Sequence, residues 1–314
     1  MKPLKTLIIL LALTVVTACS KDENDYNLGT GTSSQNTTNT NKNDASTNKA
    51  VARLEFPRLK GGRNIVVVHT ALMNEQKGIT DVNYSVEWDP ALMAQRWCCY
   101  QMYDEIAKGN TKRYSGERAG DQITPNSAYP NDEFLAEDYQ FTRDPYWNSG
   151  YDHGHICANA DRLASYESNR QTFFLTNMMP QTNAFNAGIW ATMEDQVRKW
   201  SSIADTLYVC KGGTIDSSDN ILKYLGSGNN KIPVPKYFFM ALLARNTQGY
   251  NAMAFWIEHS GNIDKSTPLG DFVVNVRQLE QLTGIDFFCN LPDDIEERVE
   301  TLTTSNVKAA WGLK

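Results

Sequence analysis

The sequence is poor in the residues that usually hold a structural metal. It has four histidines and six cysteines among 314 residues, and no two cysteines have the Cys-x-x-Cys spacing. A zinc ribbon requires that spacing, so this class of fold is excluded. Internal repeats of about 20–50 residues are also lacking. Beyond residue 52 no further low-complexity segment occurs. We therefore predict one globular domain over residues 53–314.

The first residues have a different character. Two lysines precede an apolar run of about a dozen residues, which is too short for a stable membrane span and is typical of a secretory signal. The letters VTAC at 16–19 resemble a bacterial lipobox. This resemblance implies a lipoprotein signal peptide over residues 1–18, cleavage before Cys19 and lipidation of its thiol. The alternative is an ordinary signal peptide followed by a chance cysteine.

Residues 19–52 consist almost entirely of Ser, Thr, Asn, Asp, Lys and Gly. Such a segment buries too little apolar surface to offset its ordering entropy, so it predicts a disordered polar tether. The letters SKDEND after Cys19 resemble the acidic tag of lipoproteins exported to the outer cell surface. We therefore expect a domain that is lipid-anchored to the cell envelope, at the outer membrane and facing the cell surface or the periplasm. Its membrane contact would be the anchor alone.

The folded part is rich in predicted strands. Runs of β-branched and aromatic residues predict strands at 64–71, 83–88, 171–178, 206–212, 236–244 and 251–259. Apolar spacing and end signals predict helices at 186–204, 273–284 and 291–302. No regular alternation of strand and helix occurs. The pattern predicts an α+β fold, a central and mostly antiparallel sheet flanked by helices.

Chemically active side chains are concentrated in YDHGHICANADR at 151–162. In an extended chain His153, His155 and Cys157 would share one face, and three such ligands could hold zinc. No further Cys/His pair lies close by to complete the site. A solvated polar turn is the other interpretation, and this stretch alone leaves both open.

A second group of motifs follows in FFLTNMMPQTNAFNAGIWATMEDQ at 173–196. Together, DHGHICANADR, TNMMPQ and FNAGIWATME resemble the DNA/RNA non-specific endonuclease family, whose signature is D-R-G-H, then N-x-x-P-Q, then N-x-G-x-W-x-x-L-E. The later segments IPVPKYFFMALL and TGIDFFCNLPDDIEERVE extend the resemblance over about residues 55 to 310. It implies a ββα-metal (His-Me finger) active site and metal-dependent hydrolysis of DNA and RNA with little sequence specificity.

The resemblance implies a role for each matching residue. His155 matches the general base, and imidazole suits that role because it titrates near neutral pH. Asn186 matches the direct protein ligand of the metal, and oxygen ligands favour Mg²⁺ or Mn²⁺ over zinc. Glu194 lies about 12 Å further along the helix, so it is expected to reach the metal through water. Asn177 matches an asparagine that positions water or phosphate, and Asp152 is expected to orient a neighbouring group.

A phosphate-binding arginine is expected upstream, beside YSGERAGDQ at 114–122. Arg118 is the preferred candidate and Arg113 is the alternative. The net charge of −6 does not oppose nucleic-acid substrates, because a non-specific nuclease needs phosphate contacts only along one groove. DNA and RNA therefore remain the expected partners.

The chain departs from the signature at His153, where the family has arginine. Arginine supplies a permanent charge and paired hydrogen bonds, and neutral histidine supplies neither. If His153 contacts phosphate in place of the arginine, its contribution to the cleavage rate depends on protonation of the imidazole and is larger at acid pH. Two alternatives follow: a catalytically weakened lipoprotein that only binds nucleic acid, and a zinc hydrolase that uses His153, His155 and Cys157.

Overall fold

An antiparallel sheet forms the centre of the computed structural model, which describes residues 38–124 and 128–314. Within these residues the sheet has seven strands in the order β1-β2-β3-β6-β9-β10-β11, and two ribbons, β4–β5 and β7–β8, stand beside it. The strands are β1 (Ile65–Asn74), β2 (Ile79–Asp89), β3 (Ala94–Tyr103), β4 (Asp152–His155), β5 (Met178–Gln181), β6 (Thr206–Gly213), β7 (Ile221–Leu225), β8 (Ile232–Pro235), β9 (Tyr237–Asn246), β10 (Gly249–Glu258) and β11 (Val273–Val274).

Helices cover both faces of this sheet. They are α1 (Tyr166–Gln171), α2 (Asn183–Phe185), α3 (Ala191–Ser201), α4 (Val276–Thr283), α5 (Asp293–Glu300) and α6 (Thr304–Ala310), and a π-helical turn (Asn186–Trp190) joins α2 to α3. The predicted α+β class with a mostly antiparallel sheet is confirmed. None of the described helices is long and apolar enough to cross a membrane.

The sheet is buried on both faces, which explains the continuous apolar run at 238–243 in strand β9. In β9, Phe238 and Met240 belong to the core under α3, whereas Phe239 and Ala241 belong to the core under α4 and α5. Successive side chains of a strand point to opposite faces, so a strand between two helical layers needs an apolar residue at each position. The α3 layer is the one that carries the candidate site.

The β4–β5 ribbon requires a glycine at position 154. Asp152 pairs with Gln181 and Gly154 pairs with Met179 across this ribbon. A Cβ atom on Gly154 would lie 2.4 Å from Cδ of the buried Gln181 side chain. Glycine therefore lets the Gln181 side chain lie flat against β4, which sets the ribbon close to the core.

The strand predicted at 171–178 is wrong. The structure has helix α1 ending at Gln171, an irregular segment with a 3-10 turn at Leu175–Asn177, and strand β5 beginning only at Met178. Phe173 and Phe174 are nonetheless buried, so the apolar run reflects burial and not an extended conformation. Periodicity cannot separate these cases in a short apolar run.

The domain also begins earlier than predicted. Asn43 is 5% exposed, and its Nδ2 donates hydrogen bonds to the carbonyls of Val51 and Pro57 at 3.2 and 2.9 Å. Asn39 Nδ2 donates to the carbonyl of Cys289 at 3.0 Å. Asparagine amides thus satisfy backbone groups of the domain, a function that composition alone cannot indicate.

The tether predicted for residues 19–52 is therefore wrong for residues 38–52, which pack on the domain. The signal peptide predicted at 1–18, the lipidation predicted at Cys19 and the rest of the predicted tether lie outside the described residues. Those predictions stay predictions.

Candidate active site

A cavity of about 410 Å³ lies between strand β4 and the helical segment that starts at α2. Its lining includes four residues singled out from the sequence, namely His153, His155, Asn186 and Glu194. Arg113 contributes a cation to the same cavity. Residues from three separate parts of the chain therefore meet here because β4 pairs with β5, and β5 leads directly into α2.

His155 is a neutral imidazole at the cavity wall. Burial lowers the pKa of His155 from its ordinary value of 6.5 to about 3, and the nearby charge of Arg113 acts in the same direction. The ring hydrogen-bonds the backbone of His153, and its Nε2 has no partner among the described residues. This contact favours the protonated ring, as a carbonyl acceptor does, and we therefore infer that the proton of the neutral ring lies on Nδ1, which leaves a lone pair on Nε2.

Asn186 is oriented by Asp152. Its Nδ2 donates a hydrogen bond to Asp152 Oδ2 at 3.0 Å, and Asn183 Nδ2 donates to the same oxygen at 2.9 Å. The amide is thereby fixed with Oδ1 free of any hydrogen bond among the described residues. The expectation that Asp152 orients a neighbouring side chain is met by this geometry.

The helix that carries Asn186 is irregular at this point. Gly188 has φ −101° and ψ −115°, which interrupts the helical conformation within the π-helical turn. Trp190 follows and donates from Nε1 to the carbonyl of His155 at 3.4 Å. π-Helical turns frequently occur at functional sites, where they change the direction of side chains. Here the turn lets one helix contact both β4 and the cavity.

Glu194 is paired with a buried lysine that the sequence did not single out. Lys211, on β6, is fully buried, and its Nζ donates to Glu194 Oε1 at 3.1 Å. Burial raises the pKa of Glu194, and the positive charge of Lys211 opposes that rise. The available signal was one lysine within the apolar strand TLYVCKG, since buried lysines are rare unless paired.

His259 holds the start of the helical segment in place. Its Nε2 accepts a hydrogen bond from the backbone N–H of Thr182 at 2.9 Å, and its Nδ1 donates to the carbonyl of Pro235 at 2.9 Å. The carbonyl of Thr182 in turn accepts from the N–H of Asn186 at 2.9 Å. His259 therefore connects the end of β10 to the residue at the cavity.

The phosphate contact predicted for His153 does not fit its surroundings. His153 Nε2 lies 2.9 Å from Oδ2 of the buried Asp144. The ring is stacked between Tyr129 and Tyr146, with centroid distances of 3.6 and 4.2 Å. This ring nitrogen is therefore bonded to Asp144 in the wall of the site. At the position where the family signature has arginine, His153 packs against Tyr129.

Arg118, the preferred candidate, lies outside the cavity. Its guanidinium lies 3.7 Å from Glu133, is 45% exposed and does not line the cavity. Arg113, the alternative, does line it, hydrogen-bonds the phenol of Tyr129 and lies 4.8 Å from the ring centroid of Phe173. No carboxylate lies within 4.0 Å of Arg113 in the described part of the chain, so its charge is available to an anion.

Asn177 is structural. It is fully buried, its Oδ1 accepts from the N–H of Cys157 at 2.8 Å, and its Nδ2 donates to the carbonyls of Cys157 and Thr172 at 2.9 and 2.7 Å. No side-chain group remains for water or phosphate. The amide anchors the chain that leaves β4, and Asn177 does not line the cavity.

The zinc alternative is also not supported by the geometry. Cys157 is fully buried and its thiol hydrogen-bonds that of Cys98, while His153 Nε2 is held by Asp144. Across residues 38–124 and 128–314 no group of three His, Cys, Asp or Glu side chains is placed to hold a metal ion. The three proposed ligands do not converge.

Sequence and structure comparisons agree on the kind of protein this chain resembles. Residues 61–294 match the family described as DNA/RNA non-specific endonuclease. Mitochondrial endonuclease G of Bos taurus is 25% identical over 214 residues, which cover 67% of this chain and 68% of the relative. A nuclease of Nostoc sp. is 28% identical over 225 residues, covering 69% and 75%. The crystal structure of an EndoG/EndoGI complex has the same fold, with a TM-score of 0.55, 22% identity and coverage of 68% and 85%.

Replacing each arginine by methionine separates Arg113 from Arg118. We expect Arg113→Met to lower the kcat for DNA cleavage about 10²-fold, because a cation that lines the cavity beside developing negative charge contributes on that scale. Arg118→Met removes the same charge from the surface and should change kcat by less than about twofold. Steady-state cleavage of a labelled duplex measures both. Equal losses in the two variants would show that total charge, and not the position of Arg113, determines the rate.

Proposed function

Because this chain belongs to the DNA/RNA non-specific endonuclease family, we propose that it hydrolyses phosphodiester bonds of both DNA and RNA at this cavity, with little sequence specificity. The observation that carries the residue assignment is the unpaired Nε2 of His155 in the wall of a cavity that also contains Asn186 and Arg113. These three groups supply a proton acceptor, a cation ligand and a phosphate contact.

His155 is the general base of this proposal. Its Nε2 takes a proton from the attacking water, the water oxygen forms a bond to phosphorus, and the bond from phosphorus to the leaving oxygen breaks. The pKa of about 3 keeps the ring neutral in the free protein at every working pH. The negative charge of a bound phosphate raises the basicity of the ring, because an opposite charge favours the imidazolium form.

Asn186 and Glu194 suit a divalent cation such as Mg²⁺ or Mn²⁺. Family members are metal-dependent nucleases. In this chain Asp152 holds Nδ2 of Asn186, so the hard oxygen Oδ1 is left as a ligand. Glu194 uses Oε1 for Lys211, and its Oε2 would hold a water molecule of such a cation. Such a cation, when bound, stabilises negative charge on the phosphate and the leaving oxygen.

Arg113 and Lys211 complete the electrostatics. Arg113 lines the cavity without a carboxylate partner among the described residues, and so it is placed to contact a phosphate oxygen. Lys211 is buried behind Glu194 and compensates the charge of that carboxylate. The acidic molecule thus presents local positive charge where a polynucleotide is to be cut.

The alternative of a scaffold that only binds nucleic acid loses its main support. It depended on His153 replacing a phosphate-contacting arginine. His153 Nε2 is held by Asp144 within the wall, and Arg113 supplies a cation independently. Cleavage of a plasmid in Mg²⁺ but not in EDTA separates the two functions, because a binding scaffold leaves the plasmid intact in both.

Two alanine variants test the division of roles. We expect His155→Ala to lower kcat by about 10²–10⁴-fold, because the general base is lost, while Mn²⁺ binding measured by calorimetry is unchanged. We expect Asn186→Ala to raise the Kd for Mn²⁺ by about tenfold or more, because a direct ligand is removed. Thermal unfolding of both variants controls for loss of the fold.

The reverse pattern would contradict the assignment. Normal cleavage by His155→Ala would remove His155 as the base. An unchanged Mn²⁺ titration of Asn186→Ala would remove Asn186 as a ligand, whatever the change in rate.

For the location of the protein we propose a lipid anchor at Cys19 on the cell envelope, at the outer membrane and facing the cell surface or the periplasm. The support is the lysine-flanked apolar run, the letters VTAC and the polar residues that follow. The test expresses the wild type and Cys19→Ser in bacteria supplied with an alkyne fatty acid. Label should appear on the wild type alone, and equal labelling of both would rule out Cys19.

A further inference from the structure

A second cation lies at the rim of the cavity, on a different element from Arg113. Lys223 is an exposed residue of β7, and its Nζ lies 4.7 Å from the ring centroid of Tyr151. Tyr151 lines the cavity together with His155 and Asn186. An ammonium group over a ring face is held there by a cation–π interaction. Tyr151 therefore places the charge of Lys223 next to the candidate active site.

The element that carries Lys223 is firmly anchored. The β7–β8 ribbon buries Leu225, Ile232 and Val234 in the core under α3. At the turn of this ribbon, Asn230 Nδ2 donates to Thr142 Oγ1 at 2.8 Å. The Cα atom of Lys223 is thus fixed relative to the cavity, and only the side chain has freedom.

Lys223 has no acidic partner among residues 38–124 and 128–314. Two other lysines do have one: Lys60 lies 2.8 Å from Asp216, and Lys211 lies 3.1 Å from Glu194. An exposed cation without a carboxylate is available to a ligand anion. Since the neighbouring site cleaves polynucleotides, the nearest anion is a phosphate of the substrate.

This phosphate is not the one being cleaved. Tyr151 precedes His155 by four residues of nearly extended chain, which places their Cα atoms roughly 13 Å apart. The ammonium group of Lys223 lies beside Tyr151 and not beside His155. A phosphate bound there belongs to a nucleotide that flanks the scissile bond.

We propose that Lys223, positioned by the ring of Tyr151, binds the phosphate of a flanking nucleotide. The ligand class is a polynucleotide of either sugar type, because a charge contact to the backbone reads neither base nor sugar. The inference rests on the proposed function. It adds that the substrate must extend beyond the scissile phosphodiester to be bound well.

The same ribbon provides a matched control. Lys231 is also exposed, and its Nζ lies 4.1 Å from the ring centroid of Tyr224. Tyr224 is adjacent to Lys223 in the strand, so its side chain points to the other face of the ribbon, and it does not line the cavity. Lys223→Met and Lys231→Met therefore remove the same charge and the same kind of contact at two positions.

The experiment compares both variants on a single-stranded 12-mer and on bis(p-nitrophenyl) phosphate, a small diester without flanking phosphates. We expect Lys223→Met to raise the KM for the 12-mer about 3- to 10-fold. It should also reduce the slope of log KM against log salt concentration by about 0.7–0.9, the value for one phosphate contact. Its kcat/KM for the small diester should match the wild type. Lys231→Met should resemble the wild type on both substrates.

Three outcomes would overturn the subsite. The first is an equal change in the KM for the 12-mer in both variants. The second is a loss of kcat/KM for the small diester in Lys223→Met as large as its loss on the 12-mer. The third is no change in the KM for the 12-mer or in its salt slope in Lys223→Met. If the wild type cleaves neither substrate with any divalent cation, the proposed function fails instead. The affinity for the 12-mer, measured by fluorescence anisotropy in a His155→Ala background, then tests the subsite separately. Weaker binding by Lys223→Met but not by Lys231→Met supports the subsite. Equal binding by the two variants rejects it.

Discussion

The hydrogen bond from Asn186 to Asp152 is the contact on which the candidate site depends. It joins the first residue of β4 to the helical segment at 3.0 Å, and Asn183 adds a second bond to the same carboxylate oxygen. One carboxylate thereby fixes the distance between the strand of His155 and the helix of Asn186. The strand is held in turn by Gln181 against Gly154, where no larger residue fits. The helix is held by His259 through the backbone of Thr182.

The electrostatics of the site follow from burial combined with a small number of cations. Burial and the charge of Arg113 both disfavour the imidazolium form of His155. Because the pKa is 6.5 in the unfolded chain and about 3 in the folded one, His155 contributes stability above pH 6.5. That contribution is lost as the pH falls from about 6.5 to about 3. The burial that keeps His155 unprotonated therefore also lowers the free energy of unfolding at acid pH.

The order and spacing of the motifs carried most of the site prediction. His155, Asn186 and Glu194 line one cavity because β4, β5 and the helix are consecutive or paired elements. The two strands β9 and β10 were also predictable, since burial on both faces leaves long apolar runs. Local sequence carries this information because each of these elements has a strong pattern of its own.

The errors arose where partners are distant or the backbone is irregular. The hydrogen bond between His153 and Asp144 joins a strand to a loop residue, so no periodic sequence pattern predicts it. Arg113 and Arg118 lie five residues apart in the same loop region, and only the fold decides which of them lines the cavity. Lys211 is a single cation within an apolar strand, and its partner Glu194 lies on a helix, so the strand pattern does not indicate the pair. Composition also does not indicate that residues 38–52 are ordered, because asparagine is common in disordered segments and also hydrogen-bonds ordered backbone groups.

The central claim is that His155 is neutral and carries its lone pair on Nε2. The chain has only four histidines, so the ¹⁵N imidazole resonances of the metal-free protein can be assigned with single-residue variants. We predict that His155 keeps a protonated Nδ1 and an unprotonated Nε2 from pH 5 to pH 8, with no titration in that range, consistent with a pKa of about 3. A titration of His155 with a midpoint near 6.5, or a proton on Nε2, would contradict the account.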